Sequence, residues 1–209
     1  VTLAYVGTSM GGLIGMAIAG SPQLPMPSPI RRLVLNDVGP AISQVAVERI
    51  GAYVGKGGQH ANLESAADAM WLLSTSFGPH TREEWLALSR HMVVPAAQRT
   101  ADGSAKTASN ETGGPVVLHY DPAIGAPIRA ITPELATQGE AAMWGLYDAI
   151  SARTLLLRGA QSDLLVPETA QAMTQRGPGA RLVEFEGVGH APTLVAPSQH
   201  GVVVDFLLD

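Results

Sequence analysis

The chain has 209 residues, of which 46% are hydrophobic and 15% charged, with a net charge of −5 and no cysteine. This balance supports a sizeable core in one domain, or one domain carrying an insertion, and excludes global disorder. Disulfides, thiolate metal sites and a cysteine nucleophile are excluded, and the acidic balance argues against nucleic acid or an anionic membrane as the main partner.

In chain order, Thr2 to Val6 (TLAYV) predicts a short buried strand and Gly12 to Ala19 a helix of small and apolar residues, ended by Gly20 and the Pro-rich stretch Ser21 to Pro29. Ile30 to Leu35 (IRRLVL) predicts a second strand, followed by the turn Asn36 to Pro40. Strand, helix and strand in this order form a parallel crossover unit. Helices are then expected at Ala41 to Tyr53, Asn62 to Ser74, Thr81 to Met92 and Pro133 to Ile150. Thr81 followed by Glu84 matches a capping box, and Thr132 before Pro133 marks another helix start. Thr100 to Gly114 is polar and predicts a loop; its Asn110-Glu111-Thr112 fits a glycosylation sequon by chance composition. The crossover pattern resumes with a strand at Thr154 to Leu157, a helix at Pro167 to Gln175, a strand at Leu182 to Phe185 and a closing helix at Pro197 to Leu208. No apolar run approaches the roughly 20 residues that a membrane span needs.

Gly7-Thr8-Ser9-Met10-Gly11 has the pattern G-x-S-x-G between a predicted strand and a predicted helix. Such a turn holds its serine in a strained conformation with the hydroxyl exposed, and Gly7 and Gly11 are expected to let strand and helix approach. The Met10 N–H, at the start of the helix, is placed to bind an oxyanion. A glycine-rich turn without chemistry is the plain alternative. A phosphate loop is disfavoured, because no Gly-Lys-Ser/Thr follows and the G-x-G-x-x-G spacing is absent.

A serine hydroxyl needs a base, and the base needs an orienting acid. His190 lies in a glycine-rich loop just after the strand Leu182 to Phe185, at the same sheet edge as Ser9. His60, His80, His91 and His119 fall in the middle of the chain and His200 on the closing helix; none has metal-ligand spacing. For the acid, Asp163 follows the strand Thr154 to Leu157 and is preferred. Asp37, directly after the strand Ile30 to Leu35, is a rival that could equally serve its own turn. The chain order Ser9, Asp163, His190 differs from that of chymotrypsin or subtilisin.

Together GTSMGG, LVLNDVGP, LLLRGAQSDLLVP and FEGVGHAPTL, in that order, make the chain resemble the α/β-hydrolase superfamily along its whole length. The resemblance implies an α/β-hydrolase fold: residues 1–40 and 151–209 as the C-terminal portion of a parallel-sheet core, and 41–150 as a mostly helical cap. It implies Ser9 as nucleophile, His190 as general base and acid, and Asp163 as orienting carboxylate. Epoxide hydrolases and haloalkane dehalogenases of the superfamily carry Asp at the nucleophile position, so Ser9 argues against both. The family's early strands precede the nucleophile strand and supply the second oxyanion donor. The chain is therefore expected to be part of a longer enzyme, to leave Thr2 to Val6 as an open apolar edge, and to aggregate with negligible esterase activity when expressed alone.

The expected function is a serine hydrolase that cleaves a small carboxylic ester or related acyl compound through an acyl-enzyme. No cofactor or metal is expected, and the partner is a small-molecule acyl substrate; the absence of cysteine is compatible with a cytoplasmic location. Carbon–carbon bond hydrolases of the superfamily share a Gly-x-Ser-Met-Gly elbow, but many carry tryptophan after the histidine where Ala191 stands here. A non-catalytic binding module of the same fold is the other alternative. Among Trp71, Trp85 and Trp144, the last is the expected pocket wall, although aromatic residues at helical spacing commonly build core.

Overall fold

The computed structural model describes residues 2–98 and 114–209. The predicted polar stretch Thr100 to Gly114, apart from Gly114, and its sequon lie outside the described residues. The chain divides into two compact units, residues 1–46, 76–78 and 132–209, and residues 47–75 and 79–131.

The first unit is built on a parallel sheet of β1 (Leu3–Thr8), β2 (Ile30–Asn36), β6 (Arg153–Gly159) and β7 (Arg181–Phe185), in that spatial order. Register pairs Thr8 with Asn36, Asn36 with Leu157, and Gly159 with Phe185, so all four carboxyl ends reach one edge. The inner strands β2 and β6 are apolar runs because both of their faces are covered. Their side chains alternate between two cores. Leu33, Leu35 and Leu156 join Met16, Tyr147 and Met173 on one face, while Val34, Leu155 and Leu157 join Val203 and Phe206 on the other. The first core is covered by α1 (Met10–Ala19), α6 (Pro133–Asp148) and α7 (Pro167–Met173), the second by α8 (Pro197–Leu208).

The helix α6 was expected in the inserted region and belongs instead to the sheet unit. It begins as its sequence requires, with Thr132 Oγ1 accepting the Leu135 N–H and Pro133 in the first turn. Its far end carries Tyr147, fully buried, whose hydroxyl donates to the Met173 carbonyl at 2.6 Å. The backbone of Leu146 packs so closely on Gly20 that a Cβ there would clash with it. With these contacts α6 lies in the unit that holds the sheet, and the second unit ends at residue 131.

The helix α2 (Gln44–Tyr53) carries the chain into the second unit, where α3 (Leu63–Leu73) packs on α4 (Arg82–Ser89) and α5 (Gly125–Arg129) follows. Both N-termini are capped reciprocally, Asn62 with Ser65 and Thr81 with Glu84. The Trp85 indole N–H donates to the Ala67 carbonyl at 2.8 Å, and Trp71, His80 and Trp85 meet edge-on. The sequence did not predict the small antiparallel sheet of β3 (Gln59–His60), β5 (Val116–Leu118) and β4 (Val93–Pro95). Strands of two or three residues are too short to show alternation, and Val93 and Val116 gain their burial only by joining Leu63 and Ala66. Among the described residues, no helix is long and apolar enough to cross a membrane.

Candidate active site

Ser9 occupies the single-residue step between β1 and α1, with φ 52° and ψ −122°. A non-glycine residue at positive φ is strained, and the surroundings hold this one in place. Its N–H donates to the Asn36 carbonyl at 3.0 Å, and its carbonyl accepts from Gly12 and Leu13. The tight turn requires two glycines. A Cβ at Gly7 would strike the backbone of Gly11 and Gly12, and one at Gly12 would strike the Val38 side chain. Gly11 is not the second of them, contrary to expectation, because a Cβ there would meet nothing. Met10 opens α1, so its N–H is among those that lack an acceptor within the helix.

The His190 Nε2 lies 2.9 Å from the Ser9 hydroxyl oxygen. The loop that carries it is buried from Val188 to Ala191 and pinned on several sides. Gly189 donates its N–H to the Ser76 carbonyl at 2.5 Å, Ser76 Oγ donates to the His190 carbonyl, and Asn36 Nδ2 donates to the Pro192 carbonyl at 2.8 Å. Asn36 Nδ2 also donates to Thr8 Oγ1, so one buried amide joins the ends of β1 and β2 to the histidine loop.

The acid at the imidazole is Asp37, and the assignment of Asp163 is corrected. Asp37 Oδ2 lies 2.7 Å from His190 Nδ1. Asp37 follows the last residue of β2, the neighbour of the strand that leads to Ser9, and its positive φ of 56° turns the chain at the sheet edge. Asp163 sits four residues beyond the end of β6, exposed on its loop. That loop serves Asp37 instead: Gly159 donates its N–H to Oδ1 at 2.9 Å and Ser162 Oγ donates to Oδ2 at 2.6 Å. An ionised carboxylate only accepts, so Nδ1 of His190 carries the ring proton and Nε2 is left to accept from Ser9. The arrangement can move a proton from a serine hydroxyl to an imidazole held in one tautomer.

Trp144, the expected pocket wall, is a packing residue of α6. It is half-buried against the first core, with the Arg176 guanidinium 4.2 Å above its ring and the Tyr147 ring edge-on. Asn36, Ser76 and Ser162 were not singled out from the sequence. A polar residue closing the apolar run LVLN was the only signal for Asn36.

Residues 3–206 match the alpha/beta hydrolase family. The chain is 45% identical over 202 residues to the 3-hydroxybutyrate-oligomer hydrolase of Cupriavidus necator, a match that covers 97% of this chain and 64% of that protein. The crystal structure of an alpha/beta hydrolase from Novosphingobium aromaticivorans superposes with a TM-score of 0.74 at 32% identity, covering 99% of this chain and 65% of that one. An esterase structure from Mycobacterium tuberculosis shares the fold with a TM-score of 0.62 at 21% identity, covering 99% of this chain and 60% of that one. The chain thus spans just under two thirds of the length of these relatives.

Proposed function

The chain belongs to the alpha/beta hydrolase family, and from that premise we propose that it carries the catalytic centre of a serine ester hydrolase acting on oligomers of a short 3-hydroxy acid. The observation that carries the reading is the unbroken line from the Ser9 hydroxyl through His190 to the buried Asp37 carboxylate. Ser9 Oγ attacks the ester carbonyl carbon while its proton passes to Nε2 of His190. The Met10 N–H is one donor to the tetrahedral oxyanion. Collapse expels the alcohol, which takes the proton from His190, and leaves an acyl-serine. Water then repeats the sequence with His190 as base, releasing the acid and restoring Ser9. Asp37 orients the ring and stabilises the imidazolium as it forms.

The substrate class is supported by the 45% identity to a 3-hydroxybutyrate-oligomer hydrolase. In such an oligomer both the acid and the leaving alcohol come from the same hydroxy acid, so cleavage needs no chemistry beyond that of a simple ester. The test is to incubate the full-length protein and its Ser9→Ala variant with 3-hydroxybutyrate dimer and trimer, and with a nitrophenyl butyrate, and to measure released acid. Ser9-dependent release of 3-hydroxybutyrate is expected. Hydrolysis of the nitrophenyl ester alone would overturn the substrate, and no Ser9-dependent hydrolysis of either would overturn the enzyme in favour of a binding module.

A further inference from the structure

The loop after β6, where the sequence led us to expect the acid, makes a specific hydrogen-bonding contribution of its own. Ser162 is buried, at 8% exposure. Its Oγ accepts the N–H groups of Leu164 and Leu165, both at 3.2 Å, and lies 2.6 Å from Asp37 Oδ2. A hydroxyl has two lone pairs and one proton. With both lone pairs taken by backbone donors, the proton has one direction left, towards the Asp37 carboxylate. The loop is itself anchored: Arg158, buried in β6, donates from Nε to the Leu165 carbonyl at 2.8 Å and pairs through Nη1 with Glu184.

We infer that Ser162 is a positioning residue of the triad, holding Asp37 Oδ2 against His190 and drawing part of its charge. The inference rests on the ester-hydrolase reading. Asp37 Oδ2 is shared between two donors, Ser162 and His190 Nδ1, while Oδ1 takes the Gly159 N–H. Without Ser162 the carboxylate loses one of three restraints and swings within its pocket. Its charge then falls more heavily on the imidazole, favouring the protonated ring, and the acid limb of the pH–rate profile moves to higher pH. Among the described residues, the charged groups on the elements that carry this cluster include Arg158, which bonds the Leu165 carbonyl and pairs with Glu184, and Asp163 and Glu186, exposed on the loops after β6 and β7; the substitution replaces none of them.

The test compares Ser162→Ala and Ser162→Thr with the unsubstituted full-length protein on one ester, measuring kcat and KM across the pH range together with Tm. Ser162→Ala is expected to lower kcat about tenfold, the size of one hydrogen bond to a charged group, with KM unchanged. Its acid limb should move upward, and Ser162→Thr should restore both. If Ser162→Ala does not fold, Ser162→Cys, close in size and a weaker donor, carries the same readout. A lowered Tm with kcat and the limb left as they were would make Ser162 structural only and overturn the inference, as would failure of Thr to restore them. Ser9→Ala in the same assay separates the two claims: if it stays active, the ester-hydrolase reading fails; if it is dead while Ser162→Ala behaves like the parent, only the positioning role fails.

Discussion

Replacing Asp37 by Asn tests the reassigned acid with almost no change of shape. Asp37 is fully buried and accepts three hydrogen bonds, from His190 Nδ1, the Gly159 N–H and the Ser162 hydroxyl. An amide cannot satisfy all three. If its NH₂ faces His190, Nδ1 must become an acceptor, Nε2 then carries the proton, and the ring donates to Ser9 instead of taking its proton. If its carbonyl faces His190, the NH₂ confronts the Gly159 N–H, two donors face to face at a 2.9 Å separation. Trapping the wrong tautomer in a serine triad costs about 10⁴ in kcat, or about 5 kcal/mol of transition-state stabilisation. We therefore expect Asp37→Asn to lose about 10³–10⁴ in kcat on a nitrophenyl ester, with KM little changed. Asp163→Asn, on its exposed loop, should stay within about twofold of the parent. Circular dichroism and Tm on both variants separate lost chemistry from lost folding. An Asp163→Asn protein that is dead while Asp37→Asn retains a tenth or more of the activity would refute the assignment.

Three further substitutions probe packing and capping elsewhere in the chain. Trp144→Ala should lower stability by about 2 kcal/mol, through lost packing and the lost Arg176 contact, while leaving KM for the ester unchanged. Tyr147→Phe should cost about 1 kcal/mol in denaturant unfolding, because the Met173 carbonyl that it abandons still accepts the Ala180 N–H. Glu84→Gln probes a cap by its pH dependence. The Thr81 N–H and hydroxyl hold the Glu84 carboxyl below the usual carboxylate range. A depressed value means that the stabilisation is present above the ordinary glutamate value and is lost as pH falls through the folded one. The Tm gap between parent and variant should therefore close on acidification below about pH 4.5.

Much of this centre is legible in the sequence, and the parts that are not have physical reasons. The elbow is legible because a strained turn between strand and helix demands a specific residue pattern, and His190 because its loop must leave the same sheet edge. The capping box Thr81–Glu84 could be read because it is a local pairing. The choice between Asp37 and Asp163 was not local. It depends on which strand lies beside the one carrying Ser9, and β2, with Asp37 at its end, is that neighbour. The ownership of α6 depended on Tyr147 reaching Met173, 26 residues away, which no periodicity within the helix reveals. The role of Ser162 is not legible either, because its hydroxyl meets Asp37 from 125 residues away in the chain.

The central claim is that Ser9 is a nucleophile activated by His190 and Asp37, and covalent mapping tests it most directly. The full-length protein is treated with a fluorophosphonate, digested, and its adducts located by mass spectrometry, alongside the His190→Ala, Asp37→Asn and Asp163→Asn variants. The account predicts one dominant adduct on Ser9, formed as fast in Asp163→Asn as in the parent and slowed by orders of magnitude in the other two. A folded protein that labels at another serine, or labels at Ser9 equally well without His190, would contradict it.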